Sequence, residues 1–133
     1  LRSLPEAVWT KIDGVRIYIS HYAKSDGYLP VHPADGEWLS EVFPADADVA
    51  VYGHDHCRSI VRHHRRLYVN PGALGCPSDG SDVARAAILT IGDGISVESI
   101  DAHYDVESVK AEISRLDYPA SGDILRIFYG SSD

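Results

Sequence analysis

The sequence predicts a mixed α/β (α+β) fold in which short strands outnumber helices. Apolar and polar side chains alternate with a period of two in segments such as 15–20, which is typical of strands. Turn dipeptides separate pairs of such segments, whereas a helical apolar stripe recurs over 105–117. A length of 133 residues fits one domain.

The N-terminal segments predict a hairpin followed by a long loop. Strands at 8–12 and 15–20 are joined by the dipeptide Asp13-Gly14, which suits a type I′ turn. Residues 22–36 carry several glycines and prolines, so they predict a loop. Loops of this length inside compact domains are often functional, and this one could form ordinary surface or a substrate lid.

A short helix and a series of strands follow. Asp35 is a suitable N-cap for a helix over 36–43, which Pro44 ends. The next predicted elements are strands at 47–53, 58–63, 65–70, 83–91 and 94–101, and helices at 105–117 and 122–129. Asp105 caps the helix at 105–117, whose apolar side chains are expected to form a buried stripe: Val106, Val109, Ile113 and Leu116.

The composition narrows the class of partner. A formal net charge of −8 argues against a nucleic-acid binder held by phosphate contacts. No apolar run reaches the roughly 18 residues needed to cross a membrane, so we expect no membrane partner. Cys57 and Cys76 form no Cys-x-x-Cys motif, and a reduced, cytoplasmic protein is the default expectation. Cys57 is expected to be a small buried side chain.

The most informative segment is 49–56, with the sequence VAVYGHDH. An apolar strand ends in Gly53, which lets the backbone turn and approach a ligand closely. If extended geometry persists, His54 and His56 point to the same side. Strand tips are where α/β folds place ligands, and paired imidazoles are a usual start of a transition-metal site. Asp55 is expected to be a turn residue that bonds nearby backbone.

Two further strand ends carry polar residues. The strand at 15–20 ends in His21, before a polar loop. The strand at 65–70 runs into Asn70-Pro71-Gly72, a strong turn signal because proline cannot donate to a ladder. The backbone amide of Gly72 could face an anion.

Taken in order, these three motifs resemble the C-terminal half of a calcineurin-like metallophosphoesterase, with the small YfcE-like bacterial phosphodiesterases as the most similar branch. The resemblance implies a β-sandwich flanked by helices and a two-metal site. His21 and His54 resemble ligands of one metal, and His56 resembles a ligand of the other. Asn70 and the backbone near Gly53 and Gly72 would shape the floor beneath the metals.

The resemblance also implies an activity. It is hydrolysis of a small phosphodiester or phosphomonoester by a hydroxide that two divalent metal ions activate. The resemblance favours manganese. Iron, zinc and nickel are alternatives, because imidazole ligands suit all four metals. A small phosphorylated substrate is therefore the expected partner, and a homo-oligomer is left open.

Several family features are missing from these residues. The earlier Asp-x-His, Gly-Asp and Gly-Asn-His-Asp motifs have no counterpart, so we expect residues 1–133 to be the C-terminal portion of a single domain whose N-terminal half is absent. The chain alone is then expected to be inactive. Tyr22 stands where the family often has glycine. The alternative function is a non-catalytic protein-binding scaffold of the same fold, as in the Vps29-like retromer subunits.

One cluster of basic residues stands out in this otherwise acidic chain. A solvated hairpin is the favoured interpretation, and the rival is a substrate-recognition loop in which Arg58 meets a phosphate. The cluster consists of Arg58, Arg62, His63, His64, Arg65 and Arg66.

Overall fold

The computed structural model describes residues 4–23, 30–77 and 79–130, and these contain seven strands and three helices. The strands are β1 (Ala7–Ile12), β2 (Val15–Ser20), β3 (Val49–Val51), β4 (Ser59–His63), β5 (Arg66–Asn70), β6 (Val83–Ile91) and β7 (Ile95–His103). The helices are α1 (Gly36–Val42), α2 (Val106–Leu116) and α3 (Ser121–Tyr129).

The first five strands form one mixed sheet in the order β1-β2-β3-β5-β4. Its three central strands run parallel, with Ile19 beside Val51 on one side and Val51 beside Val69 on the other. Parallel neighbours need a crossover, and α1 lies in the crossover from β2 to β3. Because parallel strands end at the same edge, the three motifs that follow them are gathered there.

Both faces of the central strands are covered, because successive side chains alternate between them. One face packs against the second, two-stranded sheet of β6 and β7 through Ile17, Val49, Leu67 and Val69. The opposite face packs with α1 and the segment after it through Tyr18, Ala50, Tyr68, Leu39 and Phe43. The predicted α/β fold is confirmed, and its layers are a helix, a five-stranded sheet and a two-stranded sheet.

Local signals in the sequence correspond to the elements observed. Asp13 and Gly14 have φ of 47° and 85°, as a type I′ turn between β1 and β2 requires. The Asp35 carboxylate accepts the backbone N–H of Glu37 and Trp38 at the start of α1. The predicted turn and cap are therefore confirmed.

Three expectations about packing and extent are wrong. No residue of the α2 stripe is fully buried: Val106, Val109 and Ile113 are half-buried and Leu116 is 53% exposed, in a helix that packs against α3. Cys57 is exposed, since it lies in the loop after β3 rather than in a strand. The strand predicted at 47–53 spans only Val49–Val51. Within the described ranges, no helix combines the length and apolar character needed to cross a membrane.

Candidate metal centre

Two histidines meet where β2 and β3 end. The backbone N–H of Gly53 donates to the carbonyl of His21 at 2.9 Å, which continues the parallel pairing beyond both strands. Nε2 of His21 lies 3.2 Å from Nδ1 of His54. The structure therefore brings together the two side chains that the sequence assigns to one metal.

The backbone of the paired-histidine motif differs from the extended geometry predicted for it. His54 and His56 have φ of 81° and 58°, in the left-handed region that residues with a Cβ seldom adopt. Alternation of side chains does not hold through such a segment. Gly53 does not have a positive φ, and a Cβ there would meet only the His21 carbonyl oxygen, at 3.7 Å, so the histidines supply the left-handed conformations of this turn.

His56 is held separately from the histidine pair. Its Nδ1 lies 2.5 Å from the carbonyl oxygen of Cys76, and its ring stacks on Phe128 with the centroids 4.9 Å apart. Because a carbonyl only accepts, Nδ1 is the donor in this bond, and in the neutral imidazole Nε2 then keeps its lone pair. Ligating histidines are commonly oriented by such a bond from the other nitrogen.

Tyr129 supports the loop that holds His56. Its hydroxyl accepts the backbone N–H of Cys76 at 3.2 Å. Burial raises the pKa of Tyr129 to about 12, so its phenol is neutral near neutral pH. The chain from Tyr129 through Cys76 to His56 thus fixes one imidazole from the C-terminal helix.

Asn70 ties the motif loops together. Its amide nitrogen donates to an Asp55 carboxylate oxygen and, at 3.4 Å, to the carbonyl of Gly53, while its amide oxygen accepts the N–H of Gly72 at 3.0 Å. Asn70 is fully buried. Asp55 also accepts the backbone N–H of Cys57 at 3.1 Å, so the expected backbone bond of this turn residue is present.

Arg58 lies beside this loop with its guanidinium already engaged. It donates to the carbonyls of Pro71 and Ile100 at 3.3 and 2.9 Å and forms an ion pair with Asp101, which lowers the pKa of that carboxyl. These contacts join the turn after β5 to β7. The arrangement favours a structural role for Arg58 over contact with a phosphate.

Gly72 is required at its position for two reasons. Its φ of 92° is in the left-handed region, and a Cβ there would lie 2.9 Å from Cβ of Arg85. The backbone of Arg85 is itself held against the turn, because its N–H donates to the carbonyl of Ala73 at 2.8 Å. The turn after β5 is therefore packed closely between Arg58 and Arg85.

The histidine pair fits two ligands of one ion rather than a complete site. Two nitrogens that bind one tetrahedral ion at 2.0–2.1 Å would be about 3.3 Å apart. The observed separation of 3.2 Å is close to that value. Within residues 4–23, 30–77 and 79–130, however, no group of three or more His, Cys, Asp or Glu side chains is arranged to hold a metal ion.

Sequence reasoning missed two aromatic residues that support His56: Phe128, which stacks on its ring, and Tyr129, which is bonded to Cys76. Phe128 and Tyr129 gave no signal, since nothing in the pattern of the last helix relates it to His56. The sequence indicated Tyr22 as a departure from the family pattern directly after His21, but not its ring contact with His54. A groove of about 840 Å³ between β1 and α1 has His21 and Tyr22 among its lining residues.

The match to a family model decides the relationship of the chain to known proteins. Residues 1–94 match the model described as the calcineurin-like phosphoesterase superfamily domain. This chain belongs to the calcineurin-like phosphoesterase superfamily. The prediction made from its three histidine and asparagine motifs is confirmed at that level.

Individual relatives are similar to the chain in sequence or in fold. An uncharacterized protein of Methanocaldococcus jannaschii is 25% identical over 138 residues, which cover 90% of this chain and 54% of the relative. A hypothetical protein of Pyrococcus horikoshii OT3 is similar in structure with a TM-score of 0.75, at 19% identity, over 99% of this chain and 53% of that protein. A metallophosphoesterase of Sphaerobacter thermophilus gives 0.70 at 24% identity, over 98% and 61%. The chain thus spans about half the length of the curated relative it matches.

Proposed function

We propose that this superfamily member provides the histidine-bearing half of a metal-dependent phosphoesterase. In this proposal His21 and His54 bind one divalent ion and His56 binds a second. The observation that supports it best is the 3.2 Å approach of Nε2 of His21 to Nδ1 of His54 at adjacent parallel strand ends. The same separation serves as a hydrogen bond between the two rings without an ion and suits two nitrogens that bind one tetrahedral ion.

The remaining motif residues support the ligands. The bond to the Cys76 carbonyl leaves Nε2 of His56 as the nitrogen that can bind an ion. Hydrogen bonds from Asn70 hold Asp55 and Gly72 in fixed positions. These bonds support the proposal that Gly53, Asn70 and Gly72 form the floor beneath the metals. We assign Asn70 a positioning role.

The substrate class is a small phosphodiester or phosphomonoester. When bound, divalent ions would supply Lewis acidity and an activated water to a phosphoryl group. The chain is acidic, with a formal charge of −8, so the ions would also offset its repulsion of an anionic substrate. Manganese is the metal we propose, and iron, zinc or nickel would suit the same imidazoles.

The test uses the protein in its natural full-length form. With added Mn²⁺ we expect it to hydrolyse bis-p-nitrophenyl phosphate, and we expect His54→Ala to lower kcat/KM at least about 100-fold. The matched control is His103→Ala, which removes an exposed histidine paired with Asp82. Full activity in His54→Ala, or equal losses in both variants, would refute the proposal.

The alternative is a non-catalytic protein-binding scaffold of the same fold. The observation that favours it is a group of exposed apolar side chains on one face of edge strand β1 and its neighbour β2: Val8, Ile12 and Ile19. Titration of the intact protein with Mn²⁺ discriminates the two functions. Binding that His56→Ala weakens supports the phosphoesterase, whereas no binding by the wild-type protein supports the scaffold.

A further inference from the structure

We infer that Tyr22 is a positioning residue that holds His54 in place and connects the metal centre to the segment before α1. The inference rests on the proposed function for its relevance to metal binding. Its first evidence is the ring of Tyr22, whose centroid lies 4.6 Å from that of His54 with 31° between the planes. Tyr22 is 8% exposed, so this contact belongs to the core.

The backbone around Tyr22 is fixed independently of its ring. Ser20 donates its hydroxyl to the carbonyl of Tyr22 at 2.8 Å, and the carbonyl of His21 accepts the N–H of Gly53. The ring itself also packs near Trp38 and Tyr52, with centroids 6.0 and 6.2 Å away. The aromatic ring is therefore a fixed surface against which the His54 imidazole rests.

His54 needs such support because its own backbone does not favour its position. Its φ of 81° is costly for a residue with a Cβ, and its side chain forms a hydrogen bond with His21. Packing against a fixed ring restricts the imidazole to the orientation that faces His21. Removing the ring should let the imidazole rotate and should separate the histidine pair.

The hydroxyl of Tyr22 makes a second connection. It accepts the backbone N–H of His32 at 3.2 Å. The His32 ring stacks on Trp38 of α1, with centroids 4.5 Å apart and 13° between the planes. One side chain thus links the segment around His32 to the histidine pair, and this segment becomes a wall of the site.

The experiment separates the ring from the hydroxyl in the natural full-length protein. Titration calorimetry with MnCl₂ alone measures affinity, and we expect Tyr22→Leu to weaken it by about 10- to 100-fold, as loss of an orienting contact to a ligand does. Tyr22→Phe should keep the affinity within about twofold but should speed hydrogen exchange of the His32 amide by at least about tenfold. The matched control is Phe43→Leu, a buried aromatic of the same core cluster, whose affinity for Mn²⁺ should not change.

A metal-free measurement decides the inference separately from the proposed function. In the wild-type protein without metal, NMR should detect nuclear Overhauser effects between the rings of Tyr22 and His54 and between those of His21 and His54. Loss of the histidine–histidine effect in Tyr22→Leu, but not in Phe43→Leu, supports the inference. Absence of both effects from the wild-type protein overturns it even if no variant folds.

The remaining outcomes are also decisive. Affinity and ring effects that are unchanged in Tyr22→Leu, or equally reduced in Phe43→Leu, overturn the positioning role. A wild-type protein that shows the ring effects but binds no Mn²⁺ refutes the proposed function, while loss of the histidine–histidine effect in Tyr22→Leu alone still supports the role of Tyr22.

Discussion

Replacing Asn70 with alanine tests whether this side chain joins the loop after β3 to the turn after β5. Asn70 is fully buried and bonds Asp55, Gly53 and Gly72 at once. Alanine removes these bonds and leaves the partners in place. The cost should therefore reflect half-buried groups that lose a partner rather than a simple change in volume.

The magnitude follows from the individual bonds. A hydrogen bond to a carboxylate contributes about 1.5–3 kcal/mol and one between neutral groups about 1 kcal/mol. The bonds to Asp55 and Gly72 together amount to about 2.5–4 kcal/mol, and the 3.4 Å bond to Gly53 adds little. We expect Asn70→Ala to lower the free energy of unfolding by about 3 kcal/mol, which is on the order of a 100-fold change in the unfolding equilibrium.

Urea denaturation of the full-length protein measures this loss. Ser59→Ala is the matched control, because it removes one hydroxyl bonded to Tyr52 at 2.8 Å and should cost about 1 kcal/mol. A loss below 1 kcal/mol in Asn70→Ala at an unchanged denaturant slope would refute the reasoning.

Asn70→Asp adds a test by pH. The new carboxyl would be buried against the carboxylate of Asp55, and both effects raise its pKa in the folded state. The folded state then binds more protons than the unfolded state, so stability should fall as pH rises through that raised pKa. Equal stability of Asn70→Asp at pH 5 and pH 8 would contradict this account.

Two further predictions concern the loops on either side. Gly72→Ala should lower the free energy of unfolding by about 1–3 kcal/mol in the same denaturation assay. The φ of Gly72 is positive, and the added Cβ would lie 2.9 Å from Cβ of Arg85. The control is Gly75→Ala, because a Cβ at Gly75 would have no atom within 4 Å. Burial raises the pKa of Tyr129 to about 12, so the unfolded state loses its phenolic proton first and stability should fall as pH rises above about 10. Tyr129→Phe should flatten that decline in thermal unfolding midpoints between pH 9 and 11, and a decline as steep as that of the wild type would refute it.

Much of the fold follows from local signals in the sequence. The Asp13-Gly14 turn, the Asp35 and Asp105 caps and the alternation in β2 each depend on residues close together in the chain. The order of the sheet does not, because the parallel pairing of β2, β3 and β5 is set by crossovers whose path the pattern does not encode. The apolar stripe of α2 likewise fixes which face is apolar but not what covers it.

The candidate site was predictable in its residues but not in its geometry. Histidines after strand ends indicated His21, His54 and His56, yet the left-handed backbone at His54 and His56 has no signature in the residue types. The contact of His56 with Cys76 and Phe128 spans distant parts of the chain, so no spacing rule indicates it. The position of Tyr22 against His54 depends on the same long-range assembly.

The parallel arrangement of β2 and β3 has a consequence for the order of folding. His21 and His54 are separated by 33 positions, so their contact requires closure of a long crossover, whereas three hairpins can form from neighbouring residues. The imidazole pair should therefore assemble late. A divalent ion bound by both rings would find no comparable site in the unfolded chain. It would therefore bind only after the rings have come together, and we expect it to lower the unfolding rate rather than raise the folding rate.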